Sequence, residues 1–304
     1  MSERVYGRNE TLTNFARGLS QDMSKRLAEF VAPTVVVGTS NGQFKSFADK
    51  NAFKVPVTAR AIGGKANRIG FESEDKYFNC KPNALETTID QEERNQAGPD
   101  QGMLEQAKTA DLINTAHLSR EVAVFTAMRA AVSAESGLGV WSNDANDPID
   151  ELDGVIEGIA LATGRMPNRL LLGLSGFRKL RKNAKVIARQ PGAAIIGVTA
   201  AQIAAMLINP DIEIRIGTLA YDTTKAGKTQ SNSFVSGLEA LVFYASQNPT
   251  RYDPSFMKTF TGATGNVLDV QVNKEDHRTD VISADWSEDI ELISAICGKR
   301  LVIS

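Results

Sequence analysis

The chain has 304 residues, with 34 Lys+Arg against 36 Asp+Glu and a formal net charge of −2, enough for about one or two domains of roughly 150 residues. Hydrophobic residues make up 42% and charged residues 23%, near the globular norm. That excludes wholesale disorder and fibrous classes, and the balanced charge argues against a dedicated nucleic-acid binder.

The opening residues carry no apolar signal segment, and Thr11–Met23 predicts a short amphipathic helix with Leu12, Phe15, Ala16 and Leu19 on one face. Residues 31–37 read as a strand. Residues 38–100 show little helical periodicity. Alternating pieces at Phe53–Val57 and Tyr77–Cys80 flank a Gly63-Gly64 turn, which predicts an extended β-hairpin or flap. Residues 86–105 are acidic: Glu86, Asp90, Glu92, Glu93, Asp100 and Glu105 stand against Arg94 alone, the pattern of a solvated loop. From Gln101 to about Ser133 there is no proline, and apolar residues recur at helical spacing. A helix of about thirty residues spans roughly 45 Å, nearly three times the usual length.

Residues 148–221 predict an α/β unit. Asp147-Pro148 opens a helix that Gly164 ends. Leu170–Leu172 is a buried strand, Ser175 caps a helix reaching Asn183, and Thr199 caps another reaching about Leu207. Residues 192–208 are uncharged and near the length of a membrane span, but Thr199, Gln202 and Gly197 interrupt them, so a buried helix is the reading. Ile212–Ile216 and Ala240–Tyr244 are strands, and 222–237 between them reads as a polar loop. Val267–Val272, Val281–Trp286, Ile290–Ile293 and Lys299–Ile303 read together as an antiparallel sheet with one buried face.

Chemistry is sparse. There are two histidines, His117 and His277, and two cysteines, Cys80 and Cys297, which fit a reducing compartment and cannot form a disulfide framework. Neither a phosphate-binding glycine loop nor metal-ligand spacing occurs, so no cofactor and no metal are expected. Gly173-Leu174-Ser175-Gly176-Phe177 approaches the nucleophile elbow G-x-S-x-G but places its second glycine one residue early. Residues 177–189 carry Arg178, Lys179, Arg181, Lys182, Lys185 and Arg189 without an acid. They make a solvated face, a contact to an acidic surface on a neighbouring subunit such as 86–105, or a nucleic-acid contact, for which no aromatic interleaving beyond Phe177 speaks.

Five ordered stretches resemble the major capsid proteins of tailed bacteriophages with the HK97-like fold: Asp75–Cys80, Asp90–Ala97 before the long helix, Met166–Leu172 followed by Ser175–Leu180, Val198–Ala200 with Glu213–Gly217 and Ala220–Asp222, and Ala240–Tyr244 with Asp253–Phe256. The resemblance implies an α+β chain. Its parts would be an N-terminal arm (1–37), an extended loop (38–80), a peripheral domain with a spine helix near 101–133 (81–148), an axial domain (149–248) and a return to the peripheral sheet (249–304). It implies a structural protein rather than an enzyme. Copies would assemble in the host cytoplasm into hexamers and pentamers of an icosahedral or prolate virion shell around double-stranded DNA, touched only non-specifically. A scaffold protein and a portal would serve as assembly partners, a decoration protein could join, and no membrane is involved. Glu86, Asp90, Glu92, Glu93, Arg178, Lys179, Arg181, Lys182 and Lys185 are the inter-subunit contact candidates. An encapsulin-like compartment shares the fold. A small α/β hydrolase using Ser175 is the alternative from another class.

Overall fold

The computed structural model describes residues 7–21, 26–47, 58–60, 62–66, 74–189, 197–224, 227–262 and 269–304. Phe53–Val57 of the expected flap, residues 192–196 of the uncharged stretch and Val267–Leu268 lie outside these. In chain order the elements are β1 (Gly7–Arg8), α1 (Glu10–Gln21), α2 (Ala28–Val31), β2 (Thr34–Val36), β3 (Asn41–Ser46), β4 (Glu74–Asn79), β5 (Lys81–Asp90), α3 (Gln91–Ala97) and α4 (Gln101–Ala131). Next come α5 (Pro148–Thr163), β6 (Arg169–Gly173), α6 (Leu174–Lys182), α7 (Ala184–Arg189), α8 (Ala200–Met206), β7 (Glu213–Gly217), β8 (Ala220–Asp222) and β9 (Asn232–Phe234). The last strands are β10 (Glu239–Phe243), β11 (Met257–Thr261), β12 (Asp269–Lys274), β13 (Thr279–Leu292) and β14 (Gly298–Val302).

Two sheets divide the molecule. The six-stranded one has the order β1-β12-β13-β11-β2, with β5 also on β13. β11 and β12 run one after the other along β13, and β5 pairs with its residues 279–288. The four-stranded sheet has the order β14-β10-β6-β7, with β6 and β7 parallel. Successive strand side chains face opposite ways. Leu170 and Leu172 therefore join Ile156, Ile159, Val186 and Ile203 beneath α5–α8, while Leu171, Leu241 and Phe243 turn to Val124, Phe125 and Met128 of α4.

The long helix α4 serves both sheets. Leu112, Ile113 and Ala116 pack with Leu12 and Ala16 of α1 on Ile89, Val270 and Ile282 of the six-stranded sheet. Further along, its other end packs against the four-stranded sheet. Charges tie it down where it passes between them. Arg120 pairs with Glu29 at 3.4 Å and Glu288 at 3.0 Å. Glu121 accepts from the Leu27 and Ala28 backbone N–H groups at 2.6 and 2.9 Å, supplying the start of α2 with a cap its own side chains lack. Glu239 holds Arg129 of α4 at 2.8 Å and Arg300 of β14 at 3.0 Å.

α5 starts as its sequence dictates. Asp147 accepts from the N–H groups of Ile149 and Asp150 and also pairs with Arg189 at 2.6 Å. Asp147→Ala is expected to cost about 1–2 kcal/mol, read by chemical denaturation. Thr199 likewise caps α8 in a reciprocal box with Gln202.

Several expectations are corrected. Residues 86–105 are not a loop: the end of β5, α3 and the start of α4 occupy most of them, and β5 forms because 81–90 find ten partners on β13. Ser175 is not a cap: α6 begins at Leu174, after an extended Gly173 that has no side chain to cap it. A Cβ on Gly173 would stand 2.1 Å from the Ser236 carbonyl oxygen, so the close approach of 236–237 sets this turn. Within 222–237 lies a strand, β9, antiparallel to β8. Residues 31–37 divide between the end of α2 and β2. Among the described residues of 192–208 the helix begins only at Ala200, and no helix of the described residues is long and apolar enough to cross a membrane. Lys299–Ile303 does not join the other C-terminal strands: β14 pairs with β10, since Leu301 and Ile303 belong to the core under α5.

Candidate functional site

Three surfaces carry the residues that the sequence singles out. The first is the β3–β4 hairpin. Its strands pair from Asn41–Asn79 to Ser46–Glu74, and β3 is anchored along its length: Phe44 and Ser46 are buried, and Ser46 Oγ donates to the Ile293 carbonyl at 2.9 Å. Phe78 stacks on Phe260 of β11 at 4.7 Å, with Phe44 at 5.2 Å from the same ring. Gly42 lets Phe78 lie flat on the strand, because a Cβ there would stand 2.6 Å from the ring. Tyr77, one residue along, is 71% exposed.

The second surface is the acidic corner of β5 and α3. Asp90 caps α3, accepting from Glu92 N at 2.8 Å, while Glu93 accepts from Asp90 N at 3.2 Å and from Lys108 Nζ at 3.1 Å. The bond from Lys108 comes first in holding the Glu93 carboxyl below its ordinary range, and the Asp90 amide adds to it. Glu105 pairs with Arg94, which also reaches Asp280 at 2.9 Å. Asp90, Glu93 and Glu105 are thus used within the chain. Glu86 and Glu92 project from exposed positions.

The third is the basic face of α6 and α7. Arg178, Arg181, Lys182 and Lys185 are exposed and Lys179 is half-buried. Lys185 donates to the Ala145 carbonyl, and Arg181 lies 5.6 Å over the Phe177 ring. Beside them is a hollow of about 700 Å³ whose floor is Leu174, Phe177 and Phe234 and whose rim is Arg178, Arg181 and Lys182. Ser175 is in its wall, but His277 sits in the turn between β12 and β13 of the other sheet. The fold does not assemble them into a nucleophile–base pair. Among the described residues no three His, Cys, Asp or Glu side chains group as metal ligands.

No protein-family model matches the chain. The major capsid protein of Burkholderia phage BcepMu is 23% identical over 285 residues, covering 89% of this chain and 88% of that protein. The crystal structure of a phage-related protein from Bordetella bronchiseptica RB50 superposes with a TM-score of 0.75 at 21% identity, covering 98% of each chain. The chain has the HK97-like α+β fold. The mature capsid subunit of bacteriophage PhiM1 shares the fold at 12% identity, with a TM-score of 0.54 over 92% of this chain and 87% of that one.

The residues that sequence reasoning missed are buried charges. Arg94, Arg120, Glu121 and Lys258 read as surface charge, yet all four are buried. The only local signal was a charge on the apolar stripe of a helix or strand. His117, also on α4, is half-buried; burial first, then Arg26 and Arg120, lowers its pKa from 6.5 to about 3. Between those values the unfolded chain binds a proton that the folded chain does not, so stability falls as pH drops from about 6.5 towards 3. At pH 5 the loss is about 2 kcal/mol. Parallel denaturation of wild type and His117→Gln from pH 7 to 4 is expected to show that slope in the wild type and its removal in the variant.

Proposed function

We propose that this chain is the repeating subunit of a phage head: copies form hexamers and pentamers of a closed shell around double-stranded DNA, with a scaffold and a portal as assembly partners. The observation that carries the reading is kinship to a phage major capsid protein across nearly nine-tenths of both chains. Two sheets joined by one long helix, and a two-stranded hairpin that belongs to neither sheet, support it. A hairpin buries too little by itself and gains stability when covered.

The parts are proposals of the same reading. Residues 1–37 are the arm, 38–80 the extended loop that a neighbour covers, 81–148 the peripheral domain with α4 as its spine, 149–248 the axial domain and 249–304 the return. Glu86, Glu92 and the basic face of α6 and α7 are the contact surfaces between copies. The site of action is the virion, after assembly in the host cytoplasm, and the role is mechanical, with no catalytic step. Many weak contacts repeated by symmetry hold such a shell.

Negative-stain microscopy of the purified chain, alone and with its scaffold, tests the reading. Closed particles of uniform size are expected; a chain that stays monomeric in both conditions overturns it. Filling with nucleic acid separates a phage head from an encapsulin-like compartment, which would hold protein cargo.

A further inference from the structure

The four-stranded sheet carries a different surface at each end. β6 runs from Arg169 to Gly173, so the segments entering and leaving it lie at opposite ends. At the leading end Leu161, Met166 and Ile208 are exposed by 82%, 46% and 55%. Two hydrogen bonds bring Ile208 to α5 and to the Met166–Pro167 segment, Ile208 N donating to Asp153 Oδ1 at 2.8 Å and Asn209 Nδ2 to the Pro167 carbonyl at 2.8 Å, and Leu161 lies further along α5, five residues before Met166. Glu157 and Asp211 are exposed beside them. The neighbouring cation, Arg165, is already engaged, 5.4 Å over the Tyr244 ring and donating to its hydroxyl at 3.2 Å. The trailing end holds the hollow beside α6, apolar in its floor and cationic at its rim.

One end is thus an apolar knob with an acidic border and the other an apolar hollow with a basic border. They match in both respects, and their separation by the length of the sheet keeps one chain from joining its own two ends. Exposed apolar patches with polar rims mark contact sites, and unlike ends that complement each other make a head-to-tail contact, which closes into a ring when the rotation per copy allows.

We propose that the Leu161–Met166–Ile208 knob of one copy seats in the Phe177–Phe234 hollow of the next, with Glu157 and Asp211 facing Arg178, Arg181 and Lys182. The proposal rests on the shell reading and deepens it by naming the surfaces that meet within a ring. It also gives the basic helix a partner other than the 86–105 stretch, where Asp90, Glu93 and Glu105 are already occupied.

Three variants test it beside the wild type. Leu161→Asp is expected to abolish rings and closed particles at concentrations where the wild type assembles, with the melting temperature of the monomer unchanged because the side chain is exposed. Glu157→Lys and Arg178→Glu are each expected to cut particle yield at least tenfold, and their combination to restore it. Leu161→Cys with Phe234→Cys, in a chain whose own Cys80 and Cys297 are buried, is expected to give a disulfide ladder on non-reducing gels of assembled material, absent from either single variant. Wild-type assembly together with normal assembly of Leu161→Asp, or with no ladder from the cysteine pair, overturns this pairing and leaves the shell reading standing. A wild type that never assembles overturns both.

Discussion

Phe78→Ala is expected to lower the unfolding free energy by about 3–5 kcal/mol, the usual cost of truncating a phenylalanine in a closed core. Phe78 is fully buried and lies on Phe260 and Gly42 at the root of the β3–β4 hairpin. Its ring touches both the partner strand, at Gly42, and the six-stranded sheet, at Phe260. Tyr77→Ala, on the exposed face of the same strand, is expected to change stability by no more than about 0.5 kcal/mol. Urea denaturation of the two variants side by side gives the comparison. Equal losses would mean that Phe78 does not anchor the hairpin. Because the variant loosens the hairpin before it unfolds the rest, shell formation should fail at temperatures where its far-ultraviolet circular dichroism is still native.

Asp253→Ala is expected to cost a similar 3–5 kcal/mol, since it leaves a buried cation without its counter-charge. Lys258 of β11 is fully buried, its Nζ donating to Asp253 Oδ1 at 2.8 Å and to the Asp253 and Thr250 carbonyls. Burial alone would raise the Asp253 carboxyl, but hydrogen bonds from Lys258, Ser255 and Thr250 outweigh it and hold the group below its ordinary value. An acid held low when folded contributes stability that is present above its unfolded pKa and lost as pH falls through the folded one. The Asp253→Ala penalty should therefore shrink on acidification. Adding Lys258→Met is expected to recover part of the loss, because removing both charges leaves nothing buried and unpaired. A double variant less stable than Asp253→Ala would show that the lysine does more through its two carbonyl contacts than through the ion pair.

Legibility in the sequence tracks physical locality. The long helix α4 was legible because thirty residues without proline and with helical apolar spacing have few other options. The α5 and α8 starts were legible because their caps, Asp147 and Thr199, lie within three residues of the groups they bind. The leucine run of β6 announced a strand buried on both faces. β5 was not legible. It is an exposed edge strand of Thr, Asn and acids, and it is a strand because of β13, almost two hundred residues away. The same distance hid which sheet β14 would join, since alternation reveals a strand but not its partner. Ser175 misled because a capping residue type stood one position inside a turn that Gly173 makes. Of the candidate contacts, the outward placement of Arg178, Arg181, Lys182, Glu86 and Glu92 agrees with their charge pattern. The internal use of Asp90 and Glu93 needed Lys108 and the α3 backbone to be seen.

The position of β13 in the chain has a consequence for synthesis. Residues 279–292 form the strand on which β5, β11 and β12 all pair, so the six-stranded sheet cannot close while the ribosome still holds them. Contacts between such distant segments form slowly, and the unpaired strands must wait in solution as hazards for aggregation. The four-stranded sheet waits in the same way for β14, which pairs with β10, so neither sheet is complete when β13 alone has emerged.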